Sequence, residues 1–219
     1  MQTFYTIAVG PLAWFAWAVF LVGSAWRIFS MASLAKNKEM AAVAYFDTAY
    51  GMRSIARWMT PFATLGWQKN PVLTFATFAF HISFILLALF AQGHAILWEY
   101  AFGMRVWALP PQVASALTII ATLSCAYFLV RRLSNSTVRF VSTPGDWLAL
   151  GLATLPFITA LLVRQSVGDP LLMTLLHVLS GEAVLVAIPF TRLSHALFVP
   201  FTRAYMGSEF GAVRHCPDW

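Results

Sequence analysis

Five stretches of this sequence stay apolar for long enough to cross a lipid bilayer: roughly 4–29, 72–98, 113–130, 147–163 and 171–199. About 20 helical residues span a hydrocarbon core about 30 Å thick. No water is present there to satisfy a peptide group, so only helices and closed barrels can cross. Continuous apolar runs, without strict alternation, select the helix. The expected fold is all-α: a polytopic membrane protein of five transmembrane helices, forming one membrane domain over residues 1–219. Composition agrees, since 60% of the residues are hydrophobic and only 10% are charged. That is too little charge to solvate the surface of a soluble domain of this length. The opening MQTFYTIAVGPLAWFAWAVFLVG lacks a basic leading region and stays apolar for longer than a secretory h-region, so it reads as a retained first span.

Lys and Arg sort between alternating loops. One side carries Arg27, Lys36, Lys38, Arg53, Arg57, Lys69, Arg131, Arg132, Arg139, Arg192, Arg203 and Arg214, and the other only Arg105 and Arg164. The positive-inside rule then predicts an outside N-terminus and a cytoplasmic C-terminus, with loop 30–71 and tail 200–219 cytoplasmic. The formal charge of +6 is thus a topology signal and implies no nucleic-acid partner. Trp98, Tyr100, Trp107 and Trp147 near span ends suit an aromatic belt in contact with the lipid bilayer. Within the long loop, AVAYFDTAYGMRSIARWMTPF mixes apolar and basic residues at near-helical spacing. It reads as an interfacial amphipathic helix, a docking surface for a cytoplasmic partner, or both. One short echo, IPFTR at 188–192 and VPFTR at 199–203, is too brief to define a repeat.

The two cysteines, Cys125 in mid-span and Cys216 in the tail, are expected to be free thiols. No CxxC or CxxCH occurs, so the chain carries neither an iron–sulfur cluster nor a covalently attached haem of its own.

Four of the five histidines lie in apolar segments. His81 and His94 are in the second, His177 and His195 in the fifth, while His215 sits in the tail as a surface residue. A histidine in hydrocarbon is costly, so each is a candidate functional residue. The two segments run in opposite directions. Equal depths on antiparallel helices therefore have nearly constant sums of residue numbers. Pairing His81 with His195 and His94 with His177 leaves a mismatch of about 7.5 Å, whereas the other pairing leaves about 46 Å, which no bilayer accommodates. His177 and His195 are 18 residues apart, five helical turns, and point the same way on a continuous helix. His81 and His94 fall about 140° apart on a straight helix, so a π-bulge, a kink or offset positions must reconcile them.

Zinc would need more ligands than a His pair supplies, and no Cys or carboxylate set accompanies these pairs. Two axial imidazoles suit a six-coordinate haem, which brings its own four porphyrin nitrogens. The expected cofactors are two non-covalent b haems with His81, His195, His94 and His177 as the metal ligands. Gly93 and Gly181 could let a flat macrocycle approach. Arg192, or Arg53, Arg57 or Arg131, could pair with propionates. Glu182, deep in the fifth span, is either a structural hydrogen-bonding group or part of a proton path or quinone site. Pro189 is expected to kink the fifth span.

These residues carry a resemblance. FH and GH on the second span, and LH followed 18 residues later by PFTRLSH on the fifth, resemble the gamma subunit of respiratory nitrate reductase. That family is a five-span dihaem cytochrome b exchanging electrons between quinones and a cytoplasmic iron–sulfur partner. The SGE before PFTRLSH is similar to the branch found in sulfate-reducer membrane complexes: the high-molecular-weight cytochrome c, tetrahaem cytochrome c3 and sulfite-reductase-associated complexes. The resemblance implies an electron-transfer subunit not catalytic alone, in a bacterial or archaeal cytoplasmic membrane. It implies His81 and His195 on an inner haem and His94 and His177 on an outer one. It further implies a quinone such as menaquinone, a heterodisulfide-reductase-like cytoplasmic iron–sulfur subunit, other membrane subunits and a periplasmic cytochrome c. Two other readings compete on the residues alone: a haem-free membrane anchor, and a proton transporter using His and Glu182.

Overall fold

The computed structural model describes residues 1–38, 44–217 and 219. It is 83% helical, and no strand occurs among the described residues. Five helices are long and apolar enough to cross a membrane: α1 (Gln2–Lys38), α4 (Pro71–Phe90), α6 (Pro111–Ser134), α8 (Pro144–Arg164) and α9 (Pro170–Ala187). The chain is a multi-pass membrane protein, and its spans present large apolar side chains such as Phe75, Ile82 and Leu123 outward to lipid. Between the spans lie α2 (Thr48–Met59), α3 (Leu65–Lys69), α5 (Gln92–Phe102) and α7 (Ser136–Val141), and α10 (His195–Met206) follows α9.

Local sequence sets most helix starts. The Asp47 and Asn135 side chains accept from the N–H groups of Tyr50 and Val138, the third residues of α2 and α7. Thr143 and Asp146 form a reciprocal capping box at α8, where Pro144 opens the helix. Asp169 accepts from Leu172 N–H at 2.7 Å to start α9. Basic residues close alternate helix ends: Lys36 and Lys38 on α1, and Arg131 and Arg132 on α6.

Two expected spans are each broken into two helices. The segment 72–98 divides at Ala91, whose ψ of 141° is extended. A continuous helix would give the Ala88 carbonyl to Gln92 and the Phe90 carbonyl to His94. Instead the His94 ring binds the Ala88 carbonyl at 3.1 Å, and Leu109 N–H donates to Phe90 at 2.8 Å. The break is thus sealed by other donors, as a low-dielectric setting requires. The segment 171–199 divides between Ala187 and His195, so His177 and His195 occupy separate helices. The 18-residue alignment expected of one straight helix therefore does not apply. Pro189 is the cause: it has no N–H for the Leu185 carbonyl, and its buried ring is seated against Gly23 of α1, where even a Cβ would come within 2.9 Å of Pro189 Cγ. The chain turns through Thr191, whose hydroxyl accepts from Leu193 N–H, and re-enters helix at His195.

The chain forms two compact units, Met1–Gly10 with Phe75–Gly181, and Pro11–Thr74 with Glu182–Trp219. The first is centred on Leu87, Leu109, Ala121, Cys125 and Phe157. Phe80, on α4, meets Phe128 of α6 and Phe157 of α8 edge-on, with centroids 5.9 and 5.7 Å apart. In the second unit α2 packs against α10 and the π-helical turn Gly207–Val213. Gly51 and Ser54 form its buried face, and Arg203 donates to Ser54 Oγ at 3.1 Å. Trp219 lies on Tyr50, and the Arg53 and Arg57 guanidinium groups sit 5.6 and 5.4 Å from its ring centre. Of the amphipathic segment expected over 42–62, residues 48–59 are helix and residues 42 and 43 lie outside the described ones. Cys125 and Cys216 are both free, Cys125 in the core of the first unit.

Candidate metal-ligand histidines

The Nδ1 atoms of His81, His94, His177 and His195 all meet backbone carbonyls. His81 Nδ1 lies 2.7 Å from Thr77 O, one turn back on α4. His94 Nδ1 lies 2.9 Å from Leu87 O and 3.1 Å from Ala88 O, in the last turn of α4. His177 Nδ1 lies 3.1 Å from Pro156 O, inside α8, and 3.2 Å from Thr159 Oγ1. His195 Nδ1 lies 2.9 Å from Arg192 O in the preceding turn. A carbonyl can only accept, so in each neutral ring the proton belongs on Nδ1 and the lone pair on Nε2. That is how a metal-ligating histidine is oriented, one nitrogen donating to a fixed acceptor and the other presented to the metal.

Within the first unit, His94 and His177 come together as their depths require. Their ring centroids are 5.9 Å apart and their planes parallel to 4°. Two imidazole nitrogens each about 2.0 Å from a shared metal place ring centres about 6 Å apart. Ordinary aromatic pairs also cover this distance. The discriminating feature is therefore the Nδ1–carbonyl pattern shared by all four rings. Space is available beside the pair: a Cβ added at Gly93 or Gly181 would meet nothing within 4 Å. No group of three or more His, Cys, Asp or Glu residues gathers as a metal site among the described residues. A pair of imidazoles fits a metal that arrives with its other ligands and does not fit a bare zinc ion.

His81 and His195 are exposed in the first and second unit respectively. The His81 ring also stands edge-on to Phe80 at 5.2 Å. Arg192, three residues before His195, orients that histidine through its own carbonyl. Arg53 and Arg57 face Trp219, and Arg131 lies in the last turn of α6. Glu182 is buried, and neither carboxyl oxygen has a hydrogen-bond partner among the described residues.

Thr159 and Pro156 escaped the sequence reading. Thr159 Oγ1 donates to Leu155 O at 2.8 Å, which leaves its lone pairs for His177. The signal was faint: a Pro and a Thr three residues apart in an apolar helix. Thr159→Val is expected to weaken a ligand held by His177 about 10- to 100-fold, as for other partners of ligating histidines, without changing helix content. Titration of the purified variant with haemin, read at the Soret band, measures this.

No family model matches the chain. Over 216 residues it is 34% identical to a protein of Nitratidesulfovibrio vulgaris (strain Hildenborough) named only "Protein", with 96% of this chain and 95% of that one covered. The chain belongs to that protein's family. Similarity over nearly all of both chains implies a shared fold.

Proposed function

We propose that this chain is a dihaem cytochrome b subunit of a respiratory redox complex, with His94 and His177 holding one haem and His81 and His195 the other. The observation that carries the reading is the common orientation of four imidazoles, each handing its Nδ1 proton to a backbone carbonyl. When bound, b haem supplies reversible one-electron chemistry, and bis-histidine ligation leaves no open position for O2. The protein's part is to fix the tautomers, keep the rings parallel and exclude water. The cytoplasmic membrane of a bacterium or archaeon is the expected location.

Electrons would pass between a quinone pool (menaquinone in this reading) or a periplasmic cytochrome c and a cytoplasmic iron–sulfur subunit of the heterodisulfide-reductase type, alongside other membrane subunits. Arg192 stands beside His195, where a propionate would need a cation. The positive-inside distribution supports an arrangement with the His81 and His195 end at the cytoplasm.

One observation favours a second reading. Glu182, with both oxygens buried and unpartnered among the described residues, suits a proton-carrying site in a His/Glu transporter. A haem-free anchor remains the third. Purified protein separates the three. The dihaem reading expects a b-type α-band in the reduced-minus-oxidised spectrum and about two haems per chain by pyridine haemochrome. Absence of the band refutes it, and proton flux into proteoliposomes without a redox partner supports the transporter.

A further inference from the structure

An apolar groove runs along the outer side of α1 in the second unit. It has a volume of about 440 Å³ and is lined by Phe15, Val19, Val22, Gly23 and Trp26, with Phe190 as the opposite wall. The α1 residues recur every three or four positions, so they form one stripe. From Phe15 to Trp26 that stripe rises about 16 Å, the depth of one bilayer leaflet. Phe190 stands there because the break at Pro189 throws it sideways against Gly23, a Cβ at which would lie 3.1 Å from its ring.

At one end of the groove is a cation. The Arg27 guanidinium is 6.0 Å from the Trp26 ring centre and 5.3 Å from that of Phe198, and its Nε is buried with no acceptor among the described residues. A guanidinium can only donate, and an acceptor-only anion satisfies it. Arg27 lies two residues before the end of the apolar run 4–29, the depth of lipid phosphates.

We infer that this groove binds one anionic phospholipid, its acyl chain along the Phe15–Trp26 stripe and its phosphate on Arg27. An apolar transmembrane helix of another subunit would cover the stripe but bring no acceptor to the guanidinium. A zwitterionic lipid would bring its own cation beside Arg27. Charge complementarity at the groove's end therefore selects the anionic lipid.

Native mass spectrometry of the full chain in detergent, titrated with phosphatidylglycerol or with phosphatidylethanolamine of the same acyl chains, tests this. One phosphatidylglycerol is expected to be retained about five- to tenfold more tightly than phosphatidylethanolamine. Arg27→Gln should erase the preference and Arg27→Lys keep most of it. Val22→Trp, at a 70% exposed position, fills the groove and should expel the lipid with Arg27 intact. Equal retention of the two lipids, or an Arg27→Gln variant with undiminished preference, overturns the inference. So does a Val22→Trp-sensitive isoprenoid quinone or second protein copy in place of the lipid. Haem content of the same samples reports the electron-transfer reading separately, since neither variant touches a histidine.

Discussion

Replacing His94 with alanine is expected to remove one of two b-type centres, lowering the pyridine haemochrome ratio from about two haems per chain to about one. His177→Ala should give the same loss, because the two rings lie 5.9 Å apart and parallel and would serve one metal. The double variant should lose no more than either single one. Residues sharing a single ligand are grossly non-additive, since the first deletion already abolishes what the second would weaken. Combining His94→Ala with His195→Ala should instead remove both centres, and His195→Ala alone should spare the His94–His177 one. Redox titration of the α-band would identify which centre survives in each single variant. Retention of both haems in His195→Ala, or two different centres lost in His94→Ala and His177→Ala, would refute the pairing.

Gly207→Leu is expected to destabilise the second unit by about 3 kcal/mol, near the upper end for forcing extra atoms into a packed contact. Gly207 opens the π-helical turn after α10, and a Cβ there would run into the Tyr50 carbonyl and the Ser54 side chain of α2. The backbone of α2 cannot move aside alone. Asp47 N–H donates to Ser208 Oγ at 2.8 Å, and Ser54 holds Arg203. The substitution should therefore detach α2 and Trp219 together. Limited proteolysis should cut faster within 44–70, with the His94–His177 centre retained, since those two rings belong to the other unit. An unchanged cleavage rate would show that α2 is held elsewhere.

Some of the histidine geometry was open to sequence reasoning. The acceptors of His81 and His195 are four and three residues back along the chain, where any helix or turn places a carbonyl. Those of His94 and His177 were not open to it. His94 depends on a helix interruption at Ala91, a residue with high helix propensity, where the competing donors are a ring and Leu109 from 18 residues on. His177 depends on Pro156 and Thr159, 21 and 18 residues away on another helix. The angle of about 140° between His81 and His94 on a straight helix left a kink as one of three ways to reconcile them, beside a π-bulge and offset positions.

The repeated pentapeptide separates the two kinds of information most clearly. IPFTR at 188–192 breaks a helix, while VPFTR at 199–203 lies within α10. The local sequence is almost the same, so propensity cannot distinguish them. What differs is the neighbour: Pro189 is buried against Gly23, whereas Pro200 sits within a helix that already has α2 to pack on. By itself the sequence determined the membrane class, the five helical crossings, the alternation of charge and the four candidate ligands. Each follows from composition and from the bilayer's refusal of unsatisfied peptide groups. Only the tertiary structure decided where two of those crossings break and which carbonyls fix two of the four imidazoles. A hydrogen-bond acceptor supplied from across the fold leaves no period in the chain that uses it.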